Sequence, residues 1–112
     1  MELLKLTDVH FKRNVLLSNI IRLEGERNYT RFVLSNGQQI VTSRTLLSYE
    51  RILPQSFVRT HKNCIINLLY FKSTNAANTS LRLSDGCHVL VARRRIAQLF
   101  ERLKTFENLS SM

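Results

Sequence analysis

The chain has 112 residues, 44% of them hydrophobic, and 17 Lys and Arg stand against 8 Asp and Glu, for a formal net charge of +9. That length holds one domain with an ordinary core and leaves no room for a second, while the charge points to a polyanion without choosing among duplex DNA, RNA and an anionic membrane surface. Glu2, Asp8 and the short apolar stretches of "MELLKLTDVHFKRNVLL" exclude a signal peptide and a membrane span, so a cytoplasmic location is expected.

Residues 1–18, with Lys12 and Arg13 beside Phe11 and Val15 to Leu17, are set apart as an N-terminal extension: an extra strand, a linker remnant or a dimer contact. The domain proper is expected over residues 19–108, with a tail at 109–112. "NIIRLEGERNYTRFVLSNGQQIVTS" predicts strand, short loop, strand, tight turn and strand, with Asn36-Gly37 as a type I′ hairpin turn. In "SRTLLSYERILP", Thr45 can cap a short helix striped by Leu46, Leu47, Ile52 and Leu53, and Pro54 stops it.

The stretch "FVRTHKNCIIN", residues 57–67, sets Arg59, His61 and Lys62 against the apolar run Cys64-Ile65-Ile66. Strand character from Phe57 breaks at His61-Lys62-Asn63 and then resumes. A catalytic role for His61 and Cys64 lacks a partner carboxylate spaced to complete a triad. His61 is better explained as a structural histidine bonded to backbone, and Asn67 as a residue that closes a turn with its side chain. Cys64 and Cys87, the only cysteines, suit small buried side chains better than a disulfide or a metal site. No metal or other cofactor is indicated.

"SLRLSDGCHVLVARRR" predicts a second hairpin turning at Asp85-Gly86, and the segment from Arg93 a helix whose Ile96, Leu99, Phe100 and Leu103 share one face. Tyr29, Phe32, Phe57, Tyr70 and Phe71 lie in strand-like runs and are expected in the core rather than as stacking platforms. The fold class is therefore mainly β, an antiparallel sheet or sandwich with one short internal helix and a C-terminal helix. No helix pair is available to present a recognition helix, so DNA contacts would come from loops and strand ends.

"IIRLEGERNYTRFVLSNGQ", "TLLSYERILPQSFVRTHKNCIIN", "LRLSDGCHVLVARRR" and the terminal helix occur in the order of a LytTR domain, and the chain resembles that family over nearly its whole length. The most specific part is F-x-R-x-H-(K/R)-x-x-x-(I/V)-N, present as Phe57, Arg59, His61, Lys62, Ile66 and Asn67. The family's S-R-R appears as Ala92-Arg93-Arg94, without the serine.

This resemblance implies an elongated fold of the LytTR type and a bacterial, sequence-specific, double-stranded DNA-binding transcriptional regulator, commonly the output domain of a response regulator, with loops entering major grooves. It carries base contacts to Asn28, Lys62 and Arg94, and backbone contacts to Arg59, Asn63 and Arg95, with Arg27 and Arg93 beside them. It also implies promoter direct repeats as targets and a homodimer formed on DNA from a solution monomer. Chemically, Arg94 can pair with guanine and Asn28 with adenine, whereas Lys62 suits either guanine or a phosphate. On turn chemistry alone, Asn28 would be a loop residue that tolerates left-handed backbone. Three adjacent arginines before a helix oppose its dipole and one another, a conflict that a polyanion relieves. The alternative is a small basic RNA-binding or ribosome-associated β module. An enzyme is not expected, since paired carboxylates and a Gly-rich phosphate loop are missing.

Overall fold

Apolar residues alternate along most of the chain, and the strands they form bury both faces of one central sheet. The computed structural model describes residues 2–8 and 11–110. In chain order the elements are β1 (Leu3–Asp8), β2 (Phe11–Leu16), β3 (Ile20–Glu26), β4 (Tyr29–Leu34), β5 (Gln39–Thr42), α1 (Leu46–Glu50), β6 (Phe57–His61), β7 (Cys64–Asn67), β8 (Phe71–Thr74), β9 (Ser80–Leu83), β10 (His88–Leu90) and α2 (Ile96–Ser110). Short 3₁₀ turns occupy Leu17–Asn19, Leu68–Tyr70 and Arg93–Arg95.

The strands make three antiparallel sheets: a β1-β2 hairpin, a central sheet ordered β5-β4-β3-β7-β6, and a smaller one ordered β10-β9-β8. Neighbouring residues of one strand point to opposite faces, and the core divides accordingly. Ile65 and Phe57 join Leu6, Val15, Leu23, Phe32 and Tyr49 under the β1-β2 hairpin and α1. Ile66 and Val58 join Leu81, Leu83, Val89, Leu99 and Leu103 under the small sheet and α2. The central sheet is thus a shared wall between two cores, and the molecule measures 43 × 33 × 25 Å.

The mainly β class with a short internal and a C-terminal helix is what the sequence predicts. Several local expectations need correction. Residues 3–8 and 11–16 are two strands rather than one, and Leu6 and Val15 are buried in the first core. Met1, Val9 and His10 of the proposed extension, and Ser111 and Met112 of the tail, lie outside the described residues.

Helix α1 is capped by Thr45, whose Oγ1 accepts from Ser48 N–H at 3.3 Å, but its buried stripe is Leu46 and Tyr49, while Leu47 and Ile52 face solvent. Tyr49 is held by an edge-on contact with Phe32 and by a 2.6 Å hydroxyl pair with Thr42.

The Asn36-Gly37 turn is not type I′. Only Gly37 takes a positive φ, +87°; Gly37 N–H donates to Leu34 O, Leu34 N–H donates to Gln38 O, and Asn36 Oδ1 accepts from Gln38 N–H. This is a three-residue loop, a type I turn closed by a glycine bulge. Ser84-Asp85-Gly86 repeats it, with Gly86 at +90° and Asp85 Oδ1 accepting from Cys87 N–H.

Candidate nucleic-acid interface

Three turns emerge at one end of the central sheet, and hydrogen bonds between their flanking strands fix them side by side. β3 and β4 meet at Arg27-Asn28, and β6 and β7 at Lys62-Asn63. Because β3 pairs antiparallel with β7, both tips fall at the same end, joined by Gly25 N–H donating to Asn63 O at 2.9 Å. The chain leaving β10 then runs past β6: Ala92 N–H donates to Thr60 O at 2.7 Å, which sets the Arg93–Arg95 turn beside His61. Gly25 also lets α1 pack closely on β3 beneath the turns, since a Cβ there would stand 3.2 Å from Leu46 Cβ.

The sequence-predicted side chains are brought together here. Arg27, Asn28, Lys62, Asn63, Arg93 and Arg94 are exposed, and Arg95 is half-buried. The left-handed residue of the first tip is Arg27, at φ +54°, rather than Asn28. That conformation costs a non-glycine residue roughly 1–2 kcal/mol. Tyr29, expected in the core, is 55% exposed where β4 leaves this tip.

Arg59 differs from the rest. Its side chain is 14% exposed and its guanidinium is engaged within the protein: Nη1 pairs with Glu50 at 3.0 Å, Nε donates to His61 O and Nη2 donates to Lys62 O. Arg95 holds its proton less tightly than an ordinary arginine because it is partly desolvated and lies near Arg59 and Arg94, with Glu50 opposing. Its Nε is buried without a hydrogen-bond partner.

Elsewhere, Glu24 and Asp85 are held by neighbouring arginines. Arg22 pairs with Glu24 at 2.8 Å and with Asp85 at 2.9 Å, and Arg31 also reaches Glu24. Arg27, Lys62, Arg93 and Arg94 hold no carboxylate in any ion pair between described residues. The result is a positively charged end, where exposed Arg27, Lys62, Arg93 and Arg94 stand against one exposed acid, Glu26, at the foot of the first turn.

One cation went unnoticed in the sequence. Arg44 lies between β5 and the Thr45 cap, is exposed, and is brought to this end because buried Thr30 Oγ1 donates to Arg44 O at 2.7 Å. An arginine immediately before a helix cap is the signal that could have marked it.

The pairing of His61 with Cys64 has no catalytic geometry. His61 Nδ1 accepts from Asn63 N–H at 3.4 Å, inside its own turn. Burial pushes the Cys64 thiol up from 9.0 to about 12, with the Thr60 hydroxyl opposing. A folded-state value above the unfolded one leaves the thiol protonated at neutral pH, so this group's contribution to stability is complete below pH 9 and is lost as pH rises from about 9 to 12. Iodoacetamide at pH 8 is expected to label Cys64 slowly in the folded protein and quickly in denaturant; peptide mass mapping checks this. Among the described residues no His, Cys, Asp and Glu cluster suits a metal ion, and no helix is long and apolar enough to cross a membrane.

The family model for the LytTr DNA-binding domain matches residues 12–104. A solved structure, the LytTr DNA-binding domain of a methyl-accepting/DNA response regulator from Bacillus cereus, superimposes with a TM-score of 0.75 at 20% identity, covering 92% of this chain and 97% of that one. At that identity the likeness is one of fold. No curated protein matches the sequence.

Proposed function

The chain belongs to the LytTr DNA-binding domain family, and from that premise we propose that its three clustered turns enter the major grooves of a specific duplex and that it regulates transcription by occupying a promoter. The observation that carries this is the convergence of the Arg27-Asn28, Lys62-Asn63 and Arg93–Arg95 turns at one positively charged end.

Within that end Asn28, Lys62 and Arg94 are assigned to base edges. Arg94 has the fork that pairs with O6 and N7 of guanine, Asn28 has the amide that pairs with adenine, and Lys62 supplies a point charge. Arg27, Asn63, Arg93 and Arg95 are assigned to phosphates, which fix register without reading sequence. The repulsion between Arg94 and Arg95 supports an anion as the missing neighbour, as does the excess of exposed cations over nearby acids. No step of catalysis is assigned. The natural target is a promoter with direct repeats, occupied by paired copies in the cytoplasm, and the natural context is the output end of a response regulator.

Selection from a random duplex pool at physiological salt tests this. Enrichment of a short motif, bound roughly a thousandfold or more above random DNA, is the expected result. Retention of all duplexes alike, with tighter binding to RNA, would replace it with the RNA-binding module.

Arg44 is assigned a phosphate. Arg44→Ala is expected to weaken binding to every duplex about equally and to lower the slope of log affinity against log salt by about one. Fluorescence anisotropy over a salt series measures both.

A further inference from the structure

We propose that Arg59 is a positioning residue that shapes the Lys62-Asn63 turn from within, and that Glu50, at the end of α1, holds it in place. This rests on the DNA-binding function proposed above and revises the backbone contact that the family motif suggested for Arg59.

A planar guanidinium presents donors in a fixed fork, and here three of its nitrogens are used in three directions. Nη1 meets Glu50 at 3.0 Å, Nε meets His61 O at 3.3 Å, and Nη2 meets Lys62 O at 2.5 Å. The two carbonyls belong to the turn itself. The β6–β7 ladder is irregular between Arg59 and His61, so this stretch departs from regular pairing where the fork bonds it. With the Lys62 carbonyl fixed, the side chain of Lys62 leaves the backbone in one direction, and Asn63 O stays in line for Gly25 N–H.

Charge points the same way. The Arg59–Glu50 pair is neutral as a unit and mostly withdrawn from solvent on the Arg59 side, so Arg59 adds little to the field that a phosphate meets. What it supplies is geometry. The fork also caps two carbonyl oxygens whose negative ends would otherwise face a phosphate backbone. A lysine at 59 keeps the charge but, with one ammonium on a flexible stem, cannot hold all three partners in one plane.

The test compares wild type, Arg59→Lys, Arg59→Ala and Glu50→Gln for binding to the selected duplex and to a scrambled one over a salt series. Thermal melting confirms folding, and amide exchange is followed at Gly25 and Asn63. Positioning predicts that Arg59→Lys and Glu50→Gln each cut the ratio of specific to scrambled affinity about tenfold or more. It also predicts that Arg59→Lys and Arg59→Ala leave the salt slope within half a unit of wild type, and that exchange at Gly25 and Asn63 quickens in all three variants. A ratio preserved within twofold in Arg59→Lys would overturn it, as would a slope lowered by one in Arg59→Ala, the mark of a lost phosphate contact. If wild type itself does not distinguish the duplexes, the DNA function fails, and unchanged amide exchange in Arg59→Lys would still separately defeat the positioning role.

Discussion

Replacing Arg94 with alanine is expected to lower affinity for the selected duplex by about 1–3 kcal/mol, roughly 5- to 150-fold, and to relax preference at a single base pair. The backbone of its turn is fixed independently of the side chain, by Ala92 N–H on Thr60 O and by Arg95 N–H on Ala92 O. The exposed guanidinium is therefore removed without disturbing its neighbours. Affinity for scrambled DNA should fall far less, because one charge among many is lost. Arg94→Lys separates the two contributions: it restores charge but not the paired donors, and so should recover scrambled binding while leaving the base preference relaxed. A uniform loss on all duplexes with an unchanged selected motif would place Arg94 on a phosphate instead.

Asn67→Ala is expected to cost about 2–4 kcal/mol of stability and to lower the melting temperature by roughly 10–20 °C. Asn67 is buried, and one side chain satisfies three backbone groups: Nδ2 donates to Ile20 O at 2.9 Å and Leu17 O at 3.3 Å, and Oδ1 accepts from Leu69 N–H at 3.1 Å. Alanine removes the side-chain partners of the Ile20 carbonyl and the Leu69 amide at the entry to β3 and the exit of β7, while Leu17 O keeps the Ile20 N–H. This site is at the end of β7 opposite Lys62-Asn63, so the fraction still folded should bind DNA as wild type does. Calorimetry and anisotropy at low temperature separate these effects, and equal losses of stability and of intrinsic affinity would contradict the assignment.

Patterns with short-range causes were the legible ones. Period-two alternation, the Thr45 cap, the glycine turns and the Leu99–Leu103 face follow from residues close in sequence, and the structure contains each of them. Asn67 was legible as a turn-closing residue because its motif places it where a strand ends. What escaped depends on partners far along the chain. Arg59 looks like any basic residue near a loop until Glu50, nine residues earlier, is placed against it. Leu6 and Val15 become core only because β1 and β2 fold over Leu23 and Phe32. The left-handed backbone at Arg27 has no local advertisement, since Asn28 beside it is the residue that ordinarily takes such a conformation. The turns themselves were identifiable, whereas their convergence required the β3–β7 pairing, which no neighbouring residues announce.

That pairing also bears on how the protein comes into being at the ribosome. The β3–β4, β6–β7 and β9–β10 hairpins each close over a few residues and can form in microseconds. Joining β3 to β7 instead closes a loop from Glu24 to Cys64, a slower, entropically dearer event. The last turn is seated only when Ala92 reaches Thr60 and Leu99 and Leu103 pack over Val58. Synthesis runs from the N-terminus, so a nascent chain carries its first two basic hairpin turns well before the Arg93–Arg95 turn arrives. An unfinished polypeptide can cling to nucleic acid by charge, but the assembled grip exists only after the C-terminal helix has emerged and docked.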